Sequence, residues 1–401
     1  MPAISVRETA GPRPTDARRP LAIVHARIYR SPQDPGLDHG TVLMRNGEVT
    51  EVGRELAIPP DAEVLDVQGR TVTAGFWNCH VHFTEPKWAG ARDDPPAMLN
   101  ARLAELATCR GFTTVVDAGS DPRSTFALRR RVATGELAGP AIYSAGQPIY
   151  PPHGIPYYVR GSIPFYLRWR IPKPSRPARA RWAAERNFSW GADLLKLFTG
   201  AYVAPGTVRP MSEAVARAAV EVAHARRRLV YAHPSNRAGT VVALRAGVDV
   251  LAHAPDTPEG VDDELLGELA QRRTAMIPTL KMFETTVSSS SSYLGPIYEV
   301  VRRFRGLGGQ LLFGTDVGYM TDYSTDAEFA ALGRCGLGPR EILAMLTTEP
   351  SRRFGVDGRQ GTVEPGKAAD LVILDGDPVA DPSAFARVYG TIRGGRRLWP
   401  L

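Results

Sequence analysis

The chain has 401 residues, 43% of them hydrophobic, and a formal net charge of +7. That is enough apolar material for one large core or two unequal ones, and no apolar run approaches bilayer-spanning length, so a membrane-spanning protein is excluded. The cationic surplus does not mark a nucleic-acid binder. Arg129-Arg130-Arg131 and Arg226-Arg227-Arg228 end helix-like segments, where cations suit the negative end of the helix dipole, and no zinc-finger or RNA-binding motif accompanies them.

Residues 1–20 are polar, rich in Pro and Arg, and lack the apolar centre of a secretory signal, so they read as a disordered tail. Residues 21–71 read as short strands with turns, including the hairpin signal Asn46-Gly47. Between 72 and 316 strand-like runs alternate with amphipathic helix-like ones such as Pro96–Arg110 and Met211–Arg227. The expected strands are Val72–Cys79, Thr113–Ala118, Ala141–Ala145, Asp193–Phe198, Leu229–Ala232, Val248–Ala252, Thr274–Pro278 and Leu311–Gly314. Strands alternating with helices imply a parallel sheet, and this number predicts an α/β fold of the (β/α)₈ TIM-like barrel type over 72–356. Residues 357–401 again read as strands, and with 21–71 they are expected to form a small β-sandwich domain built from both chain ends. The three cysteines, Cys79, Cys109 and Cys335, lack Cys-x-x-Cys spacing, which points to a reducing, cytoplasmic setting.

Two stretches interrupt the alternation. Gly146–Pro177 is rich in Pro and aromatic residues and carries Arg160, Arg168 and Arg170. It reads as a wall of the substrate pocket, with His153, Tyr157, Arg160 and Arg168 as candidate substrate contacts, or as the interface of a homo-oligomer; both readings can hold. The serine run 288–292 is expected to be flexible.

The ends of the expected strands carry the chemistry. His80 and His82 stand two apart on a strand, so both point to one face, with Cys79 and Val81 toward the helices. Lys196 is one of only five lysines and lies amid Leu194, Leu195, Leu197 and Phe198. A strand apolar on both faces is buried, and burial depresses a lysine's pKa, freeing an amine that can add carbon dioxide as a carbamate. His233 and His253 each close an apolar run, and Asp316 ends the last one. These residues on converging strand ends predict a centre of two divalent metal ions, with Asp316 both ligand and general base. Zinc is the default for mixed His and carboxylate ligands; manganese, iron or cobalt also fit. A Gly-x-Ser-x-Gly elbow is absent, which disfavours a serine nucleophile.

With these residues set out, the chain resembles the amidohydrolase superfamily, in its metal-dependent branch with a carboxylated lysine and near the imidazolonepropionase-like and prolidase-like group. The resemblance rests on the His-x-His strand, the buried lysine, the two later histidines, Gly314-Thr315-Asp316 and the closing segment 361–371. It implies that His80, His82 and Asp316 hold the more buried ion, His233 and His253 the other, and carboxylated Lys196 bridges both. The pattern departs at Ala74-Gly75, where Pro-Gly is usual, and at Asn78, where Asp is usual. The implied reaction is hydrolysis of an amide-type C–N bond in a small molecule, such as an N-acyl amino acid, a dipeptide or a cyclic amide. The alternatives are a mononuclear deaminase or decarboxylase on the same scaffold, or a non-catalytic relative.

Overall fold

The computed structural model describes residues 19–161, 163 and 165–400, so most of the expected tail, 1–18, lies outside the described residues. The strands in chain order are β1 (Leu21–Ile28), β2 (Leu37–Arg45), β3 (Glu48–Gly53), β4 (Glu63–Asp66), β5 (Thr71–Ala74), β6 (Phe76–Val81), β7 (Phe112–Asp117), β8 (Ala141–Ser144), β9 (Leu195–Phe198), β10 (Gly200–Ala204), β11 (Thr207–Pro210), β12 (Val230–His233), β13 (Val250–Leu251), β14 (Ala275–Met276), β15 (Leu371–Leu374), β16 (Val388–Arg393) and β17 (Arg396–Trp399). Helices fill the intervals: α1 (Pro96–Leu106), α2 (Pro122–Ala133), α3 (Tyr157–Arg160), α4 (Pro177–Trp190), α5 (Glu213–Ala225), α6 (Arg237–Ala246), α7 (Asp263–Gln271), α8 (Leu280–Thr286), α9 (Ser291–Gly306), α10 (Asp326–Arg334), α11 (Pro339–Leu346) and α12 (Thr348–Arg353). Among the described residues no helix is long and apolar enough to cross a membrane.

The chain ends meet in one eight-stranded sheet, β17-β16-β15-β5-β1-β2-β3, with β4 added to β1. β1 pairs with β2 along one edge and with both β4 and β5 along the other, which joins every one of these strands to a single hydrogen-bonded sheet. Asn46 and Gly47 both take positive φ, 53° and 82°, in the turn between β2 and β3, as a tight right-twisting hairpin requires. The strand expected over Val72–Cys79 is two strands. Its first half, β5, pairs with β1 and β15 in the end sheet, and the wall of the larger unit starts at β6.

That wall consists of two parallel sheets, β6-β7-β8 and β14-β13-β12-β9, in place of one continuous eight-stranded ring. Leu311–Gly314 is not a regular strand; it is an extended segment tied on both sides by single backbone bonds. Leu312 N donates to Met276 O at 2.9 Å, and Cys79 N donates to Phe313 O at 2.7 Å. At the other seam Ile149 N donates to Lys196 O and Phe198 N to Ile149 O, both at 2.9 Å. The strands are buried along their whole length, from FWNCHV in β6 to VYAH in β12, as parallel strands covered by helices must be.

Two apolar clusters separate the faces of the wall. One joins Val115, Leu195, Leu197, Val230 and Ala232 to helix residues such as Leu103, Leu128 and Val220. The other gathers Trp77, Cys79, Val116, Tyr143, Leu194, Tyr231, Val250, Ile277 and Leu312 from the strands and the residues that extend them, with Phe354 and Val356 beside them, so it faces inward. Cys79 therefore points inward and not toward the helices. The pairing of β6 with β7 slips between Asn78 and Val81, a bulge that breaks the alternation assumed for a regular strand. In the serine run, Ser290 holds the N-cap position of α9 without a side-chain capping bond, and the hydroxyls of Ser288, Ser290 and Ser292 bond one another at 3.0 and 3.2 Å.

Asn78 clamps the seam nearest the site. Its Nδ2 donates to Thr315 Oγ1 at 2.7 Å, and its Oδ1 accepts from the backbone nitrogens of His80 and Thr315 at 3.2 Å. All three groups are buried, so their bonds have no solvent substitute. Replacing Asn78 with Ala should lower stability by about 2–4 kcal/mol. Urea unfolding followed by circular dichroism measures this, and a midpoint matching the wild-type one would show that the clamp contributes nothing.

Candidate metal centre

Alternation along the strands decides which side chains face inward. Leu194, Lys196 and Phe198 share the inner side of β9, and Leu229, Tyr231 and His233 that of β12; Leu194, Leu229 and Tyr231 lie in the inward cluster. Lys196 and His233 consequently stand at the C-terminal rim, above an apolar floor. The register of β9 with β12 sets His233 beside Phe198, and their rings stack with centroids 4.7 Å apart. The His253 ring lies 4.5 Å from that of His233 and 4.6 Å from that of His80. Asp316 reaches the same place in a left-handed conformation, φ 59°, with its N–H donating to His80 O at 2.8 Å.

Second partners fix the tautomers. His80 Nδ1 lies 2.6 Å from Ala252 O and His82 Nδ1 2.8 Å from Gly119 O. A carbonyl only accepts, so each Nδ1 carries the proton and each Nε2 presents a lone pair. Both lone pairs face Asp316 Oδ1, at 3.3 Å from His80 and 3.0 Å from His82. His80 Nε2 and Asp316 Oδ1 are buried and without a hydrogen-bond partner among the described residues. Three electron-rich atoms converging in the interior repel unless a cation joins them, and the ligating atoms of His80, His82 and Asp316 all lie within 4.8 Å of one another. That donor set fits a divalent metal ion. His253 Nδ1 bonds Thr279 Oγ1 at 2.8 Å, and that hydroxyl donates to Pro278 O, so His253 is likewise protonated at Nδ1. Its Nε2 points to Asp316 Oδ2 at 4.0 Å.

Burial, followed by the nearby charge of Lys196, holds His80 and His233 well below the ordinary imidazole range; burial and the other imidazoles do the same for His253. For His82, burial acts downward but is outweighed by the Asp316 carboxylate, which pushes its pKa up. A proton and a cation thus compete for His82.

Lys196 is 1% exposed, and burial lowers its amine to about 8, against partial support from Asp316 and Asp117. Among the described residues no carboxylate forms an ion pair with it. Lys281 shows the opposite solution. Also 1% exposed, it bonds Asp322 O, Ser324 O and Ser324 Oγ at 2.8–3.0 Å and pairs with the Asp322 carboxylate at 2.8 Å.

The centre opens into a cavity of about 2690 Å³ lined by His82, Lys196, His233, His253 and Asp316. Of the loop candidates, Tyr157 lines it, whereas His153, Arg160 and Arg168 do not. Arg160 donates to Ile155 O and Val203 O, and Arg168 to Ile163 O and Arg160 O. Their guanidinium groups hold the loop in shape; Arg170 is the loop arginine on the cavity wall. Sequence reasoning passed over Asp117, a fully buried carboxylate ending β7 that accepts from Ser144 Oγ at 2.6 Å and stands 4.0 Å from His82 Nδ1. An acid closing the run Thr113–Val116 was the available signal. Asp256 and Thr279 gave none.

The family model for the amidohydrolase family matches residues 71–398. An uncharacterized protein of Mycobacterium tuberculosis is 26% identical over 212 residues, 49% of this chain and 55% of that protein, so the chain spans about half of that relative's length. An ochratoxinase of Aspergillus niger is 24% identical over 423 residues, covering 92% of this chain and 86% of its own. Among solved structures, a Xaa-Pro dipeptidase with methionine bound in its active site superimposes with a TM-score of 0.81 at 22% identity, over 94% of this chain and 99% of that one. The likeness shows a TIM-barrel-like fold.

The buried amine predicts a pH signature in the metal-free protein. Between about pH 8 and 10.5 the unfolded chain keeps a proton on this lysine that the folded chain has shed, so stability climbs with pH across that window. Lys196→Met should abolish the climb and stabilise the metal-free protein at pH 7 by roughly 3 kcal/mol. Urea titrations of both proteins at pH 7 and 10 test this; parallel pH dependences would contradict it.

Proposed function

The chain belongs to the amidohydrolase family, and we propose that it hydrolyses an amide C–N bond of a small molecule at the centre formed by His80, His82, Lys196, His233, His253 and Asp316. The observation that carries this reading is the convergence of the His80 and His82 lone pairs on Asp316 Oδ1. In this reading His80, His82 and Asp316 would hold one divalent ion and His233 and His253 a second. Zinc is the first choice, with manganese, iron or cobalt as alternatives. Lys196, as a carbamate, would complete the donor set. The support is a buried amine near pKa 8 with no acid paired to it, whose nitrogen bonds the carbon of carbon dioxide and loses a proton.

Bound ions would supply Lewis acidity, bringing the pKa of water toward about 7 and polarising the scissile carbonyl. The protein's own groups do the rest. Asp316 takes a proton from the attacking water as its oxygen bonds the carbonyl carbon, then delivers that proton to the departing nitrogen as the C–N bond breaks. The Ala252 and Gly119 carbonyls keep His80 and His82 in one tautomer throughout. The apolar floor and the Phe198 ring exclude bulk water from the inner side. The Xaa-Pro dipeptidase likeness favours a dipeptide-like amide. We assign Tyr157 and Arg170 of the 146–177 loop to the substrate wall, and the outward Phe165 and Tyr166, 80% and 60% exposed, to contact between copies of the chain.

Asp316→Asn should cut turnover about 10²–10⁴-fold with the fold intact, measured on metal-loaded protein with dipeptides and N-acyl amino acids. Near-normal turnover would remove Asp316 from the mechanism. Elemental analysis separates the alternatives: this reading expects two ions per chain and loss of one or both in Lys196→Ala. One ion, unaffected by that change, would favour a mononuclear enzyme.

A further inference from the structure

We propose that the cavity beside the centre binds an ammonium group of its ligand at Asp256, enclosed by Tyr202 and Tyr293. The inference names part of the substrate and rests on the hydrolase reading for that word alone; the site itself stands on the following geometry. Asp256 lies in the loop after β13, three residues beyond His253, and lines the cavity with Tyr158, Tyr202 and Tyr293. Among the described residues no lysine, arginine or histidine pairs with its carboxylate. The Tyr202 hydroxyl stands beside it and bonds the hydroxyl of the next residue, Thr257. Burial pushes the Asp256 carboxyl up to about 7, and Glu259 adds a further negative charge. A carboxylate in that position is costly without a counter-ion.

The surroundings specify the counter-ion. The Tyr293 hydroxyl is buried without a protein partner, close enough to Asp256 and Tyr202 to feel both. An ammonium carries three donors and no acceptor, which matches one carboxylate and two phenol oxygens. The rings add faces suited to a cation, and Tyr158 packs at a tilt against Tyr319 with centroids 5.7 Å apart. A divalent metal ion would want more anionic or imidazole donors than one carboxylate offers. Arg170, Arg179 and Arg186 also line the cavity; they repel a cation and suit an anionic group. A ligand with both charges is therefore oriented, ammonium to Asp256 and carboxylate to the arginines.

Calorimetric titration of the metal-loaded protein with L-leucinol tests the site without turnover, with neutral 4-methyl-1-pentanol as the control. Leucinol should bind more tightly than the control and lose roughly 10- to 100-fold in affinity in Asp256→Asn. Tyr293→Phe should weaken leucinol several-fold, and it carries the test if the first variant folds poorly. Equal binding of the two probes, no leucinol binding, or leucinol affinity unchanged in both variants would overturn the proposal. In kinetics, the preference for Leu-Pro over N-acetyl-Leu-Pro should collapse by a similar factor in Asp256→Asn. If the wild-type protein hydrolyses both equally, the ammonium site fails and the hydrolase reading stands. If it hydrolyses no amide at all, the hydrolase reading fails and the titration still decides the site.

Discussion

The junction between β6 and the extended segment 311–317 organises the molecule. Cys79 N to Phe313 O, Asp316 N to His80 O and His82 N to Val317 O, at 2.7–2.8 Å, tie the beginning of the parallel wall to its end. Asn78 locks the same seam from inside. Without it, His80 and His82 would have no fixed relation to Asp316, more than two hundred residues later. The seam is also tight. A side chain at Gly314 would lie 2.4 Å from Ile277 Cγ2, and one at Gly318 would meet His82 O at 1.9 Å. Gly318 has φ +94° as well, so the approach of the two segments demands glycine there on both counts.

The two buried lysines show how position decides chemistry. Lys281 Nζ is surrounded by carbonyls, a hydroxyl and a carboxylate. Lys196 faces imidazoles and an aromatic ring, with its Nζ 5.7 Å from the Phe198 centroid. Burial without a paired acid makes its ammonium expensive. A stable fold tolerates such a group when the surrounding apolar core holds it in place. Thr279, a β-branched residue at φ 51°, is held at the same rim and bonds His253; strain of this kind collects where geometry is imposed by the surroundings.

Both signs of charge line the cavity. Arginines come from the 146–177 loop and α4, Asp256 from the loop after β13, and its tyrosines from β10 and α9. The sequence-wide surplus of cations thus says little about the ligand. Many arginines serve ion pairs, such as Arg305 with Glu341 at 2.6 Å and Arg303 with Asp263 at 2.7 Å. Arg160 and Arg168 cap loop carbonyls.

Periodicity and strand-end chemistry determined the α/β alternation, the inward residues of β9 and β12, and the set His80, His82, Lys196, His233, His253 and Asp316. These depend on local spacing, which a sequence displays directly. Tertiary structure decided the rest. The β6 bulge turned Cys79 inward because pairing with β7 and with the 311–317 segment together overrode simple alternation. Gly75 divides β5 from β6 because each half finds a different neighbour, β15 in one case and β7 in the other. Which arginines face the cavity depended on where loop carbonyls happened to need donors. Asp117, Asp256 and Lys281 gained their distinct roles only through partners brought from distant segments. An isolated Asp or Lys looks the same in any sequence, and only its burial and its neighbours settle whether it is a clamp, a base or an unpaired charge.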